Sequence, residues 1–389
     1  MNSLYLIQLV FGILYPLEKE PKFQAQLIDD TIAIGYGLAI GDVDGDQKPD
    51  ILLADKKQFV WYRNGDWKRF TMVDNLTQSD NVCIAARDLD GDGKVEVAVG
   101  AQWNPGETSD SAKSGSVHYL VRPKDPTKSW LPVKLYHEPT IHRMRWVKAG
   151  ENKFHLIVLP LHGIGNKNGE GEPVNVLAFE MPKDPAMPWK HWSIDHSMHL
   201  THNFDVVPYG KGELIYIGGK EGIKRLAYTD GKWSAPEAEQ FAVRNQSFGE
   251  VRSGGTDFFA GIEPMHGNEL TVYRPLANAP DPAKGGERVS RVVLTSDLNQ
   301  GHALAVDDLL NLGNKQVIVG WREPNKQQRT GIKIFVAQGN ADSWKDFWID
   351  DNGMACEDLQ VADLDGDGKK EIIAAGRATK NLKIYWNKN

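Results

Sequence analysis

One motif recurs along the chain and limits what it can fold into. DVDGDQKPD (42–50), DLDGDGKVE (88–96) and DLDGDGKKE (363–371) share a spacing, and each is followed by an apolar run, ILLA, VAVG or IIAA. A β-rich run precedes each, so the unit reads strand, acidic loop, strand. A fourth copy is degraded: Asp308 opens DLLNLGNKQ, with VIVG at 317–320 behind it. Three weaker units, recognised by strand pattern alone, lie at 142–160, 202–218 and 247–262. Anchored six residues ahead of the first loop Asp, the seven units start at Tyr36, Val82, His142, His202, Ser247, His302 and Glu357. Their mean period is about 54 residues, which suits a repeat of one supersecondary unit.

Each unit continues with an outer pair of strands, such as FVWYRNG then WKRFTMV. Four strands per repeat predict a propeller blade. The fold class is therefore all-β, a seven-bladed β-propeller with Asp-rich calcium-binding loops, over residues 21–389. The last unit ends at LKIYWN without a fourth strand, and FQAQLID at 23–29 is expected to supply it. That closure removes an exposed sheet edge. Residues 1–20 stand apart, because 4–17 (LYLIQLVFGILYPL) form the only long apolar run. The run is too short to span a bilayer. It reads as a signal or targeting segment, implying a secreted or periplasmic protein, or else as a buried N-terminal strand.

In the three intact loops carboxylates hold positions 1, 3, 5 and 9: Asp42, Asp44, Asp46 and Asp50; Asp88, Asp90, Asp92 and Glu96; Asp363, Asp365, Asp367 and Glu371. Alternate spacing turns several oxygens inward around a tight turn, the donor set a hard cation such as Ca2+ requires. Position 12 is Leu53, Val99 or Ala374, so this is no EF-hand. The expected role is structural, on the face opposite the chemistry.

That chemistry is expected where the innermost strands begin. His142, His202, His302 and Glu357 share one pseudo-equivalent position, with Tyr36 as a fifth member. A second ring comes from the ends of the return strands: Asp55, Gln102, His162, Lys220, His266, Arg322 and Arg377. Three readings of the histidines stay open. They hold a central divalent metal (Ca2+, Zn2+ or Mn2+) with Glu357 as hard ligand, they transfer protons, or they plug the channel through hydrogen bonds. Arg322 and Arg377 either clamp a carboxylate or bridge blades. Trp103 and Trp321 either stack on sugars or pack between blades. Cys83 and Cys356 start strands of non-adjacent blades and are not expected to form a disulfide. The net charge of −7 disfavours nucleic acid as a partner. No GxSxG, P-loop or dinucleotide fingerprint occurs.

The DxDxDG loops resemble those of FG-GAP/VCBS-type propellers. GHALAVDD (301–308) with VIVGWR (317–322), GIEPMHGNELTVYR (261–274) and AGRATKNLKIYWN (375–387) resemble the propeller domain of aldos-2-ulose dehydratases. They are also similar to propeller lyases that cut rhamnose–glucuronate bonds. The resemblance implies β-elimination on a carbohydrate, and it points to His302, Arg322, His266 and Arg377. The expectation is a carbon–oxygen lyase acting on a uronate glycan or keto sugar. His142 or His202 would be its base, and a second His or Tyr36 its acid. A non-catalytic glycan-binding propeller is the alternative, and a protein-interaction propeller a third reading.

Overall fold

The computed structural model describes residues 20–236, 243, 246–276 and 289–389. Among them, 28 strands, β1 to β28 in chain order, form seven four-stranded antiparallel sheets. Six sheets take four consecutive strands. The seventh joins β26 (Cys356–Ala362), β27 (Glu371–Gly376) and β28 (Asn381–Asn387) to β1 (Phe23–Asp29). Phe23 pairs with Asn387 and Leu27 with Lys383, so the first strand closes the last blade as its sequence implies. The apolar run at 4–17 lies outside the described residues. No helix among the described residues is long and apolar enough to cross a membrane.

The blades follow from two kinds of strand. The second strand of these blades is apolar after its first residue and buried on both faces: Asp50–Ala54, Glu96–Ala101, Gln316–Trp321 and Glu371–Gly376 are buried at every position. The outer strands alternate towards solvent, as in Lys190–Asp195. Buried side chains therefore collect between sheets. Seven apolar clusters occupy the seven blade interfaces, for example Trp61 and Phe59 against Val97 and Val99 between blades 1 and 2. Each fully buried Val, Leu or Phe contributes about 1.5–3 kcal/mol. Both cysteines are free and buried. Cys83 lies over Gly100 and Cys356 over Gly320, where a Cβ would meet the sulfur at 2.6 Å.

The innermost strands leave one edge facing the central channel, and an unpaired edge needs partners. Side chains from the neighbouring blade supply them. His142 and His202 reach the carbonyls of His202 and Gly249, each at 2.7 Å, and His302 that of Glu357 at 2.6 Å. Arg87 donates to the Trp146 carbonyl and Arg145 to that of Phe204. Asp205 accepts from Ser253 N–H and Asp358 from Leu38 N–H. This pattern corrects one anchor. Gly249, and not Ser247, occupies the ring position of blade 5, directly ahead of the inner strand Glu250–Ser253.

Ring closure makes a stability prediction. A variant starting after Asp29 leaves β28 with a free edge. It is expected to lose several kcal/mol in a urea melt and to associate at high concentration by light scattering. An unchanged midpoint would show that β1 is dispensable.

Candidate functional site

Each ring residue lies where its inner strand breaks register. The irregularities fall between Ile141 and Arg143, Thr201 and Phe204, Gly301 and Ala303, and Cys356 and Asp358. A bulge leaves one residue out of the ladder and re-aims its side chain. Here those residues are His142, His202, His302 and Glu357. Thr140 and Gln300, two residues ahead of His142 and His302, both hold φ at 56°. This left-handed conformation is unusual for a side-chain-bearing residue.

The carbonyl contacts set the tautomers. A carbonyl only accepts, so Nδ1 of His142, His202 and His302 carries the proton. Their Nε2 atoms keep free lone pairs. His266 enters from the EPMHGN turn after the strand Phe259–Glu263, with φ at 52°. Its Nε2 lies 2.7 Å from His202 Nε2. Ring nitrogens of His202, His266 and His302 all lie within 4.8 Å of one another. Two lone pairs at that separation repel, so either His266 presents a proton or the two nitrogens share a cation. Behind His202, Glu250 is fully buried, with Oε1 3.3 Å from His202 Nδ1. Asn203 donates to both of its oxygens, and Arg252 pairs with it at 3.1 Å. Burial alone would raise the Glu250 carboxyl, but Arg252 and His202 outweigh it and hold it down at about 2. Burial, followed by neighbouring positive groups, drives His142 and His302 well below the usual imidazole range and His266 to about 2. The histidines are thus neutral at physiological pH.

Glu357 does not join the imidazoles. It is held by Arg322 at 3.2 Å and Arg377 at 3.1 Å, which corrects its assignment as hard ligand. Arg322 also donates to Gln300 and is largely covered, whereas the Arg377 side chain is 38% exposed and lies over the Tyr36 ring. Tyr36 donates to Asp80 at 3.1 Å. Burial and that carboxylate raise its hydroxyl pKa, so it keeps its proton. Trp103 is half-buried against His142, with ring centroids 5.0 Å apart. Trp321 is 1% exposed and packs on Trp348 with its N–H on the Arg329 carbonyl, so it is core and not a stacking platform.

Other second-ring residues have structural work. Asp55 accepts the N–H groups of Ala33, Ile34 and Gly35. Lys220 donates to the Gly169 carbonyl. His162 forms a bridge with Leu200, and Gln102 turns the chain at φ 58°. Sequence reasoning missed Asp80, Asn203 and Glu250. A signal existed for the last two, because HNFD, EVR and HRMR place polar residues on strands that face the core.

On the opposite face the acidic loops repeat one geometry. Asp42, Asp44 and Asp50 converge within 4.8 Å, as do Asp88, Asp90 and Glu96, and Asp363, Asp365 and Glu371. The fifth-position carboxylates do not join these groups. Asp46, Asp92 and Asp367 instead accept from Lys48, Lys94 and Lys369 N–H. Burial, reinforced by adjacent carboxylates, pushes Asp50 and Glu96 up to about 7 and also raises Glu371.

The chain matches the family profile described as FG-GAP-like repeat over residues 42–99. It matches the profile of the aldos-2-ulose dehydratase β-propeller domain over residues 114–275, which includes the EPMHGN turn. No curated protein matches. Among solved structures, the chain is similar to one in the crystal structure of BBS1N in complex with ARL6DN. Identity is 13% and TM-score 0.58, with 95% of this chain and 98% of that chain covered. It is also similar to a chain of the Mitotic Checkpoint Complex, at 10% identity and TM-score 0.55, with 99% and 95% covered. Identities this low bear on the fold alone.

The EPMHGN turn yields a prediction. A Cβ on Gly267 would lie 2.1 Å from the Glu263 carbonyl oxygen and 2.3 Å from Pro264 N. Gly267→Ala is expected to open the turn, costing about 1–3 kcal/mol by chemical denaturation. It should also displace the His266 ring resonances in NMR. Unmoved resonances would show that His266 is positioned by something else.

Proposed function

We propose that the mouth with the histidines is the active site of a carbon–oxygen lyase that eliminates a substituent β to an acidic C–H on a carbohydrate. One observation carries the reading: neutral imidazoles with free Nε2 atoms converge near a half-exposed arginine. The match to a sugar dehydratase propeller supports the substrate class. A channel plug would need neither free lone pairs nor an exposed guanidinium.

Arg377 binds the substrate carboxylate, while Arg322 and Glu357 fix its position. His142 Nε2 removes the proton from the carbon bearing the carboxylate. The C–H electron pair becomes the new C=C bond as the C–O bond on the next carbon breaks. The Tyr36 hydroxyl gives its proton to the departing oxygen. Trp103, packed on His142, offers a face to the sugar. His202, with its Nε2 turned to His266, suits the base role less well than His142. The nitrogen donors of His202, His266 and His302, with Glu250 behind His202, fit Zn2+ or Mn2+ better than Ca2+. Such an ion would add Lewis-acid polarisation of the carboxylate or carbonyl.

Incubation with uronate glycans and keto sugars is expected to raise ultraviolet absorbance from a new C=C bond. His142→Ala should slow that rise about 10²–10⁴-fold with little change in KM. A flat trace with glycan still retained would sink the elimination and favour a binding module.

The acidic loops are proposed to hold structural Ca2+. The degenerate loop supports this by contrast. There Asp308 still accepts from Leu312 and Gly313, and neutral Gln316 caps Leu310 N–H as Asp50 caps Val43. The backbone scaffold therefore needs no acid at position 9. The converging carboxylates of the other loops are explained by a cation, which removes their mutual repulsion. Calcium at a hundredfold above Kd is expected to add about 2.7 kcal/mol per occupied loop. A chelator should lower the thermal midpoint and Asp88→Asn should shrink that effect. A midpoint indifferent to chelator would count against calcium.

A further inference from the structure

The channel has a second half beneath the histidines. One residue below the ring, a cavity of about 490 Å³ opens towards the acidic-loop face. Its walls are unequal. On blades 1 and 2 alternate inner-strand positions carry small side chains, Gly37, Ala39, Cys83 and Ala85, and the one charged residue there, Arg87, is turned to Glu213. Blades 3, 4 and 7 contribute Arg143, Arg145, Asn203, Asp358 and Gln360. The missing bulk on one side is what leaves the space.

The charges there are unevenly satisfied. Arg87 is neutralised by Glu213 through two contacts of 2.8 and 3.0 Å, and Arg252 by Glu250. Arg143 and Arg145 form no ion pair among the described residues. Arg143 donates Nη1 to the His142 carbonyl, and Arg145 donates Nε to that of Phe204. Their remaining donors have no acceptor among the described residues. Asp205, Asp358 and Glu250 act on Arg145 from a distance without pairing with it, so its fork keeps room for a ligand carboxylate. Gln360 and Asp358, on the same wall, offer acceptors for hydroxyl groups, Asp358 with lone pairs left beside the bonds its oxygens accept from Leu38 and Leu359 N–H. The volume suits a small ligand of monosaccharide size.

We propose that this half of the channel binds a small hydroxylated carboxylate at Arg143 and Arg145, separately from the mouth. The site needs no elimination chemistry and stands whether or not the mouth is catalytic.

Gluconate and sorbitol, which differ in carrying a carboxylate or not, are titrated calorimetrically into the full chain. Gluconate should bind and sorbitol should not. Arg145→Gln should weaken gluconate tenfold or more. Ala39→Phe, which adds bulk to the cavity from blade 1 and leaves both arginines in the sequence, should abolish binding and covers the case in which the arginine variant fails to fold. His302→Ala, at the mouth, should leave gluconate affinity within about twofold. No binding to the wild-type chain overturns the proposal. So does binding that is lost in His302→Ala but kept in Ala39→Phe, which would move the ligand to the mouth.

Discussion

Seven strand edges surround one narrow channel, and their backbone groups must be satisfied without a next strand. This constraint organises the centre of the molecule. A buried N–H or C=O left unpaired costs about 1–3 kcal/mol, so the solution must recur around the ring. The chain solves it with side chains that reach from one inner strand to the backbone of the next. His142, His202, His302, Arg87 and Arg145 serve carbonyls, whereas Asp205 and Asp358 serve N–H groups. Polar residues thus enter the middle of an apolar fold for a structural reason, and their unused atoms become available for chemistry.

The histidines illustrate that double use. Each spends Nδ1 on a neighbouring carbonyl, which leaves Nε2 oriented and unprotonated. The same bond that joins two blades leaves the second ring nitrogen with its lone pair. A bulge at each position puts the ring where regular pairing could not. Glu357 sits in an equivalent bulge, yet a carboxylate cannot donate to a carbonyl. It turns instead to Arg322 and Arg377. Equivalent backbone positions therefore gave two outcomes because the side chains differ in hydrogen-bonding sense.

The two faces of the ring are built differently. The mouth combines uncharged imidazoles with compensated charges, and its residues come from bulges of the inner strands and from the turns after the return strands. The far face repeats a short acidic turn whose hydrogen bonds are local. Asp42 caps Gly45 and Gln47, and Asp88 and Asp363 cap their counterparts in the same way. Local bonding lets one loop degrade, as at Asp308, without disturbing its neighbours. The mouth has no such freedom, since His142, His202 and His302 each lean on the next blade.

The sequence determined the repeat and, through it, most of the fold. Seven units, the four-strand blade and the strand exchange between 23–29 and the C-terminus all rest on local period and on apolar runs, which a linear chain displays directly. The ring of His142, His202 and His302 was readable too, because pseudo-equivalent positions align by counting. Counting failed at Ser247, where no acidic loop marks the register, and neighbour contacts identify Gly249. It also could not separate Trp103, two residues past the end of its return strand, from Trp321, the last residue of its own; burial between blades made Trp321 core and left Trp103 beside His142. The partners of Glu357, the approach of His266 to His202 and the gap between small and charged channel walls appeared only when seven blades closed on one axis. Each depends on side chains at least 20 positions apart in the chain, such as Glu357 with Arg377 and, 64 apart, His202 with His266. Period and composition carry no information about such distances; ring closure sets them.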